Sequence, residues 1–547
     1  MAENKHPQQA LTNEERMARG STWLTIGNIG SRLLGAIYVM PWFYWMGTQA
    51  YQANALFNMG YNFYALFLMI STAGIPAAIG KQTAHYNSLN EYGVSRKLFK
   101  NALVVMAIFG AVMSGIMYLS SPWLAEISGG GAELVPVIRS LSVAVLVIPC
   151  MSVIRGFFQG QSDMMPYAIS QIVEQVARVF YLLLATFIIM KMGSGNYEEA
   201  VVQSTFAAFI GAVASIAVLL YYMQKNRART QALIEMSANR VKLDTRELVV
   251  ETIREAIPFI IIGTGITIFK LVDQVTFVRF MQGFTTYSSA QLQKLFSIFS
   301  ANPDKLTMVV IGLATSIALT GLPLITEAKT LNRQRDLAKL ISNNLQLFAF
   351  VMFPATFGLI ILAYPLNTLF YAPSNLGSRV LVVACVSGLF LGLYTMTSSM
   401  LQGMYENGSA ILFFLIGFLV KLVTQYPLIR VFEVYGPLLS TMIGFGATVA
   451  LNLWKLHKVS RFNKSFTFRR IILIFIISLI MVVLAFVTRA FLGLFFSAEG
   501  KIGSFVIIMG TALIGGASYV YLSLKVGLAD KLLGSTATKI RRKLKIK

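Results

Sequence analysis

The chain has 547 residues, of which 56% are hydrophobic and 13% charged, about half the charged share of a typical soluble protein (~25%). A soluble fold of this composition would leave far more apolar surface in water than water tolerates. The formal net charge of +23 would suit nucleic acid if the basic residues lined one face, but they are distributed as a membrane topology signal, which argues against nucleic acid as a partner.

In chain order, the tail at residues 1–20 is polar and lacks the apolar core of a secretory signal, so it reads as a cytoplasmic segment that is not cleaved. Fourteen apolar spans follow, at approximately 22–46, 54–80, 99–123, 135–158, 165–190, 200–224, 251–283, 305–326, 342–371, 380–402, 408–432, 436–456, 470–494 and 502–524. Each is long enough to cross a hydrocarbon layer of ~30 Å as a helix. Backbone in lipid requires helices or a closed barrel, and these segments lack the alternation of barrel strands. The expected fold class is therefore an all-α polytopic membrane protein of about 14 transmembrane helices.

Polar residues within the spans are the candidate functional groups, because a charge at membrane depth costs ~3 kcal/mol or more. In the first span Asn28, Ser31, Arg32 and Gly35 fall at i, i+3, i+4 and i+7, a narrow polar face. Arg32 reads better as a cavity ligand than as half of a buried ion pair. In the second span Asn54, Asn58 and Asn62 recur every four residues. In the fifth, Glu174 and Arg178 at i, i+4 read as a local ion pair that lets both be buried. In the seventh, Ile266, Lys270, Asp273, Gln274 and Phe277 share a face. Lys270 is either a cavity ligand or is neutralised by Asp273 at i+3. Lys305 opens the eighth span, and Lys421 in the eleventh has no acid within one turn. Lys421 must reach water, an acid on another helix, or a substrate anion. The expected substrate-binding set is Arg32, Lys270, Lys305, Asn58, Asn62 and Ser31. The gating or ion-pair set is Asp273, Glu174, Arg178 and Lys421.

The chain repeats itself at an offset of about 240 residues. Gln159-Gly160 matches Gln402-Gly403, Arg178 matches Lys421, Gly74-Ile75-Pro76 matches Gly321-Leu322-Pro323, and Arg32 matches Lys270. Six spans lie within one offset, so the halves share an orientation and form a parallel repeat. The expected organisation is a tail at 1–20, an N-lobe at 21–224 (helices 1–6), a basic cytoplasmic linker at 225–250, a C-lobe at 251–458 (helices 7–12), two extra helices within 459–530, and a basic tail at 531–547. Of the 46 Lys and Arg, 33 lie in or beside the tails and the even-numbered connections. Those segments are therefore expected in the cytoplasm of a multi-pass cell-membrane protein. The run Lys539 to Lys547 suits anionic lipid headgroups, at about 1 kcal/mol per basic residue near the surface.

Catalytic parts are missing from this pattern. His6, His85 and His457 fall in tails or connections, Cys150 and Cys385 lie in apolar runs, and there is no phosphate-binding lysine loop. No catalytic or metal site is expected, and the protein is not expected to be an enzyme. Without a cofactor, the energy for transport must come from a gradient, the membrane potential or substrate supply.

Ser31-Arg32-Leu33-Leu34-Gly35, Gly74-Ile75-Pro76, Arg155-Gly156-Phe157-Phe158-Gln159-Gly160 and Ile172 to Tyr181 together carry a resemblance. The chain resembles the MOP superfamily of flippases and exporters, most of all its MurJ / YtgP branch, with the stage V sporulation protein B relatives nearby. The resemblance implies fourteen helices, a cationic cavity, and export of a lipid-linked cell-wall precursor, chiefly lipid II, for peptidoglycan synthesis. Partners would be that precursor, anionic membrane lipids, and cell-wall synthesis or division proteins. The family's arginine in the first helix is matched by Arg32, and its basic residue at the start of the eighth by Lys305. A second family arginine falls near Tyr38 and a family acid near Gln52, which leaves substrate identity open toward other polyprenyl-linked sugars of O-antigen or teichoic type. Some relatives are thought to bind sodium among helices seven, eleven and twelve. Here Lys421 would compete with such an ion, so a monovalent cation or the membrane potential stands as the energy source. A cation-coupled drug antiporter would want an acidic cavity, and a membrane glycosyltransferase would want acids or histidines on a large exterior connection. A structural division protein without transport is the remaining alternative.

Overall fold

The computed structural model describes residues 30–31, 34–35, 37–72, 75–161, 163–237, 257–258, 260–533 and 541–543. Asn28, Arg32, Gly74, the N-terminal tail, residues 238–250 of the basic linker and residues 251–256 lie outside the described residues. Every regular element among the described residues is helical. Ten segments among them are long and apolar enough to span a bilayer. One of these, Asn407–Ser460, is a pair of helices joined at Glu433–Tyr435. This is a multi-pass membrane protein.

The described residues fall in two compact units. The first includes residues 63–124 and 132–260, the second 39–62, 125–131 and 261–547. In the first unit the helices are α3 (Ile75–Ser88), α4 (Tyr92–Leu119), α5 (Leu134–Gly160), α6 (Met164–Phe187), α7 (Tyr197–Lys225) and α8 (Arg227–Glu235). Ahead of them come α1 (Val39–Met46), which belongs to the second unit, and α2 (Ala50–Thr72), whose first half does. The rest of the second unit is α9 (Gly265–Gln282), α10 (Ser289–Phe296), α11 (Asn302–Thr330), α12 (Gln334–Ile361), α13 (Ala363–Phe370), α14 (Asn375–Gly403), α15 (Asn407–Phe432), α16 (Gly436–Ser460), α17 (Lys464–Gly493), α18 (Lys501–Lys525) and α19 (Leu528–Leu533).

The repeat read from sequence reappears as the same set of helix pairings within each unit. In the first unit α5 packs on α3, α4, α6 and α7, α3 packs on α4, and α6 on α7. In the second, α14 packs on α11, α12, α15 and α16, α11 packs on α12, and α15 on α16. Closely packed glycines recur as well. A Cβ on Gly211 of α7 would lie 2.7 Å from the Glu174 carbonyl and 3.1 Å from the Arg178 Cβ of α6. A Cβ on Gly444 of α16 would lie 2.8 Å from the Gly417 carbonyl and 3.0 Å from the Lys421 Cβ of α15. Small residues at these crossings let backbones approach, which is how membrane helices gain packing without a hydrophobic driving force. The last two long helices, α17 and α18, pair with each other and rest on α12 and α13. Along α17 Ile472, Phe475, Ile476, Leu479, Ile480 and Val483 are exposed, a surface that suits acyl chains and not water.

Candidate functional site

The asparagine stripe of α2 is a helix-joining seam within the second unit. Asn54, Asn58 and Asn62 are all buried. Asn54 donates to the Asn302 side-chain oxygen at 2.7 Å and to Ser297 at 3.3 Å. Ser300 donates to Asn58 at 3.1 Å, and Asn62 donates to Gln274 at 2.8 Å and to Asn58 at 3.3 Å. Gln274 in turn donates to the Met59 carbonyl at 3.2 Å and to Ser128 at 3.0 Å. Spacing by four aligns the three amides on one face, and burial away from water obliges each to find a partner. The seam meets α11 where the helix is widened: Ser297–Ala301, between α10 and α11, is a π-helical turn. Such insertions recur at functional sites, because they re-aim side chains without ending the helix.

Four charged residues follow on α9 and its neighbours. Lys270 donates to Asp304 of α11 at 2.5 Å. One turn away, Asp273 receives Lys421 of α15 at 2.6 Å and the Gln425 amide at 2.9 Å. Lys421 also donates to Thr441 of α16 at 2.7 Å and to Gln425 and Ser440, each at 3.3 Å. Its ammonium lies 5.3 Å from the Phe269 ring centroid. The Lys421 side chain is 0% exposed and that of Asp273 11%, whereas Lys270 and Asp304 keep 22% and 24%. Lys270, Asp304 and Asp273, with Ser300 and Thr307, lie in the wall of a cavity of about 60 Å³. Lys305 places its ammonium 4.5 Å from the Phe57 ring centroid and 5.9 Å from that of Tyr61, two rings that stack on each other.

Lys270 is thus neutralised by an acid from another helix, and not by Asp273 at i+3. Lys421 finds its acid on another helix, one of the three outcomes that its lack of a local partner left open. Asp304, Gln425 and Thr441 were not singled out by sequence. Asp304 adjoins Lys305 and Gln425 lies one turn beyond Lys421, so position alone was a signal for both. Thr441 carried none.

In the first unit Glu174 bridges two arginines. Arg178 reaches it at 2.6 Å, as the i, i+4 spacing predicts, and Arg155 of α5 reaches its other oxygen at 2.9 Å. Arg155 also donates to Ser170 at 3.0 Å and Ser215 at 2.9 Å. Ser31 is half-buried, and Arg32 lies outside the described residues.

Apolar helices in two similarly paired bundles, with ionisable side chains inside the membrane-spanning segments, have the fold of a polytopic transporter. The chain is similar to the lipid II flippase MurJ of Bacillus subtilis (strain 168), with 34% identity over 532 residues, covering 95% of this chain and 97% of that protein. Its fold is similar to the inward closed conformation of a lipid II flippase MurJ, with a TM-score of 0.64 at 15% identity, covering 92% of this chain and 99% of that one. It is also similar in fold to the inward-facing conformation of a multidrug resistance MATE family transporter of the MOP superfamily, with a TM-score of 0.59 at 14% identity over 80% of this chain and 98% of that one. A family model described as "Polysaccharide biosynthesis protein" matches residues 17–329, more than half of the chain. The chain belongs to that family.

Proposed function

We propose that this protein is a flippase that moves a lipid-linked cell-wall precursor, lipid II, from the inner to the outer leaflet by alternating access, for peptidoglycan synthesis. The observation that carries this reading is the near full-length 34% identity to a lipid II flippase. The site chemistry agrees with it. Lys270 and Lys305 place ammonium groups within spanning helices, as a polyprenyl diphosphate requires. Ammonium binds phosphate oxygens by charge-assisted hydrogen bonds, and guanidinium, which Arg32 would bring, does so in bidentate fashion. The isoprenoid tail need never leave lipid. The even-numbered connections and both termini face the cytoplasm in this reading, and the protein acts as a carrier and not as an enzyme.

No bound ion is needed for the charge balance of the buried site. The Lys421 ammonium, ringed by Asp273, Gln425, Ser440 and Thr441, holds the position that a monovalent cation would otherwise take, and the membrane potential drives the cycle. A second reading, transport of another polyprenyl-linked oligosaccharide, is favoured by the family description alone. Expression in Bacillus subtilis depleted of its own lipid II flippases separates the two. Rescue of growth and cell shape is expected, and failure to rescue by a stably inserted protein overturns the lipid II reading.

A further inference from the structure

The two ion pairs of α9 are built differently. Lys421 has four hydrogen-bonding partners and no exposure. Among the described residues Lys270 has Asp304 alone, and about a fifth of its side chain and a quarter of that of Asp304 remain open. An ammonium has three donors and a carboxylate about four acceptor sites, so the Lys270–Asp304 pair is chemically unsaturated on both sides. It lies at the wall of the small cavity, between the apolar side chains of Ile266 and Phe299 and the hydroxyls of Ser300 and Thr307. In such surroundings charges are weakly screened, and an ammonium exchanges one anionic oxygen for another more readily than it gives one up.

We propose that Asp304 is an internal counter-ion that competes with the substrate's diphosphate for Lys270, and so sets how tightly the anionic headgroup is held and how readily it leaves. The inference rests on the transport reading above. With no substrate, the carboxylate keeps Lys270 neutralised. A diphosphate oxygen, carrying more charge, takes its place on the ammonium. The displaced carboxylate then stands beside an anion of like sign and favours its departure. No covalent bond changes in the exchange. The cavity is too small for the headgroup, so the exchange takes place at its mouth.

The test is binding to the full-length protein in lipid nanodiscs, with polyprenyl diphosphate, the uncharged polyprenol, and inorganic pyrophosphate as competitor. Asp304→Asn is expected to hold the diphosphate lipid about tenfold tighter, midway between the near-zero worth of an exposed pair and the large worth of a buried one. Polyprenol binding should not move. Transport by this variant should be slower, since release is hindered, and adding Lys270→Met should cancel the gain in affinity. Unchanged or weaker diphosphate binding by Asp304→Asn overturns the proposal while leaving the transport reading intact. So does failure of Asp304→Asn to fold, which marks a purely structural pair. A wild-type protein that does not prefer the diphosphate to the alcohol overturns the transport reading and this proposal together. Equal competition by inorganic pyrophosphate assigns the site to a free anion and overturns the lipid as its ligand.

Discussion

Lys421 and Asp273, 148 residues apart in sequence, meet at 2.6 Å in a site where the lysine is wholly buried. Taking either ion out of water costs several kcal/mol, and mutual attraction offsets that only when the remaining donors and acceptors are also matched. Here they are, by Gln425, Ser440 and Thr441.

Removing one partner therefore strands a charge. Lys421→Met is expected to destabilise the protein by about 3–5 kcal/mol, while Lys421→Met with Asp273→Leu recovers most of that loss. Thermal unfolding of the purified variants measures both. Single and double variants of equal stability would show that the pair carries no coupling.

Because an ammonium already sits on Asp273, adding sodium beside it meets Coulomb repulsion. Flipping in vesicles is expected to change little with sodium and to respond to membrane potential, which is worth ~2.3 kcal/mol per charge per 100 mV. Strong sodium dependence without a response to potential contradicts this.

Asn58 and Asn62 serve as tests of the seam in α2. If they join helices, Asn62→Ala lowers stability by about 1 kcal/mol, in the range of interhelical hydrogen bonds in membranes, and leaves headgroup affinity unaltered. The reverse pattern in a titration with diphosphate lipid would make them ligands.

Arg32 is expected to bind substrate, since its sequence face offers glycine and serine and no acid. Arg32→Ala should abolish lipid export at near-normal protein abundance. A fall in abundance instead would assign it to a buried pair.

The linker at 225–250 and the C-terminal tail, which with Arg254 and Lys525 hold fifteen Lys and Arg, are expected in the cytoplasm. Single cysteines introduced in either should escape an impermeant thiol reagent applied to intact cells. Labelling of either reverses the orientation.

The sequence was informative where periodicity and composition decide the outcome. A helix lies on the described part of each expected span, because apolar length is a local property. The repeat was legible from matched residues such as Arg178 and Lys421, and it recurs as matched pairings in each unit. Charge partners were not legible to the same degree. The nearest acid to Lys270 along the chain is Asp273, yet its partner is Asp304, 34 residues on. The nearest acid is not the nearest in space when a second helix offers one. The asparagines of α2 looked like a cavity lining because polarity in a membrane helix marks either a water-filled face or a buried seam. Their bonds to Gln274, Ser300 and Asn302 favour the seam.

The two pairs of α9 point to separate neighbours, Lys270 to α11 and Asp273 to α15, from positions less than one turn apart. That makes α9 a common shaft. The open pair can trade its acid for a visiting anion, while the sealed pair has no such substitute. A movement that keeps α9 with α15 and is taken up on the α11 side leaves the sealed pair intact.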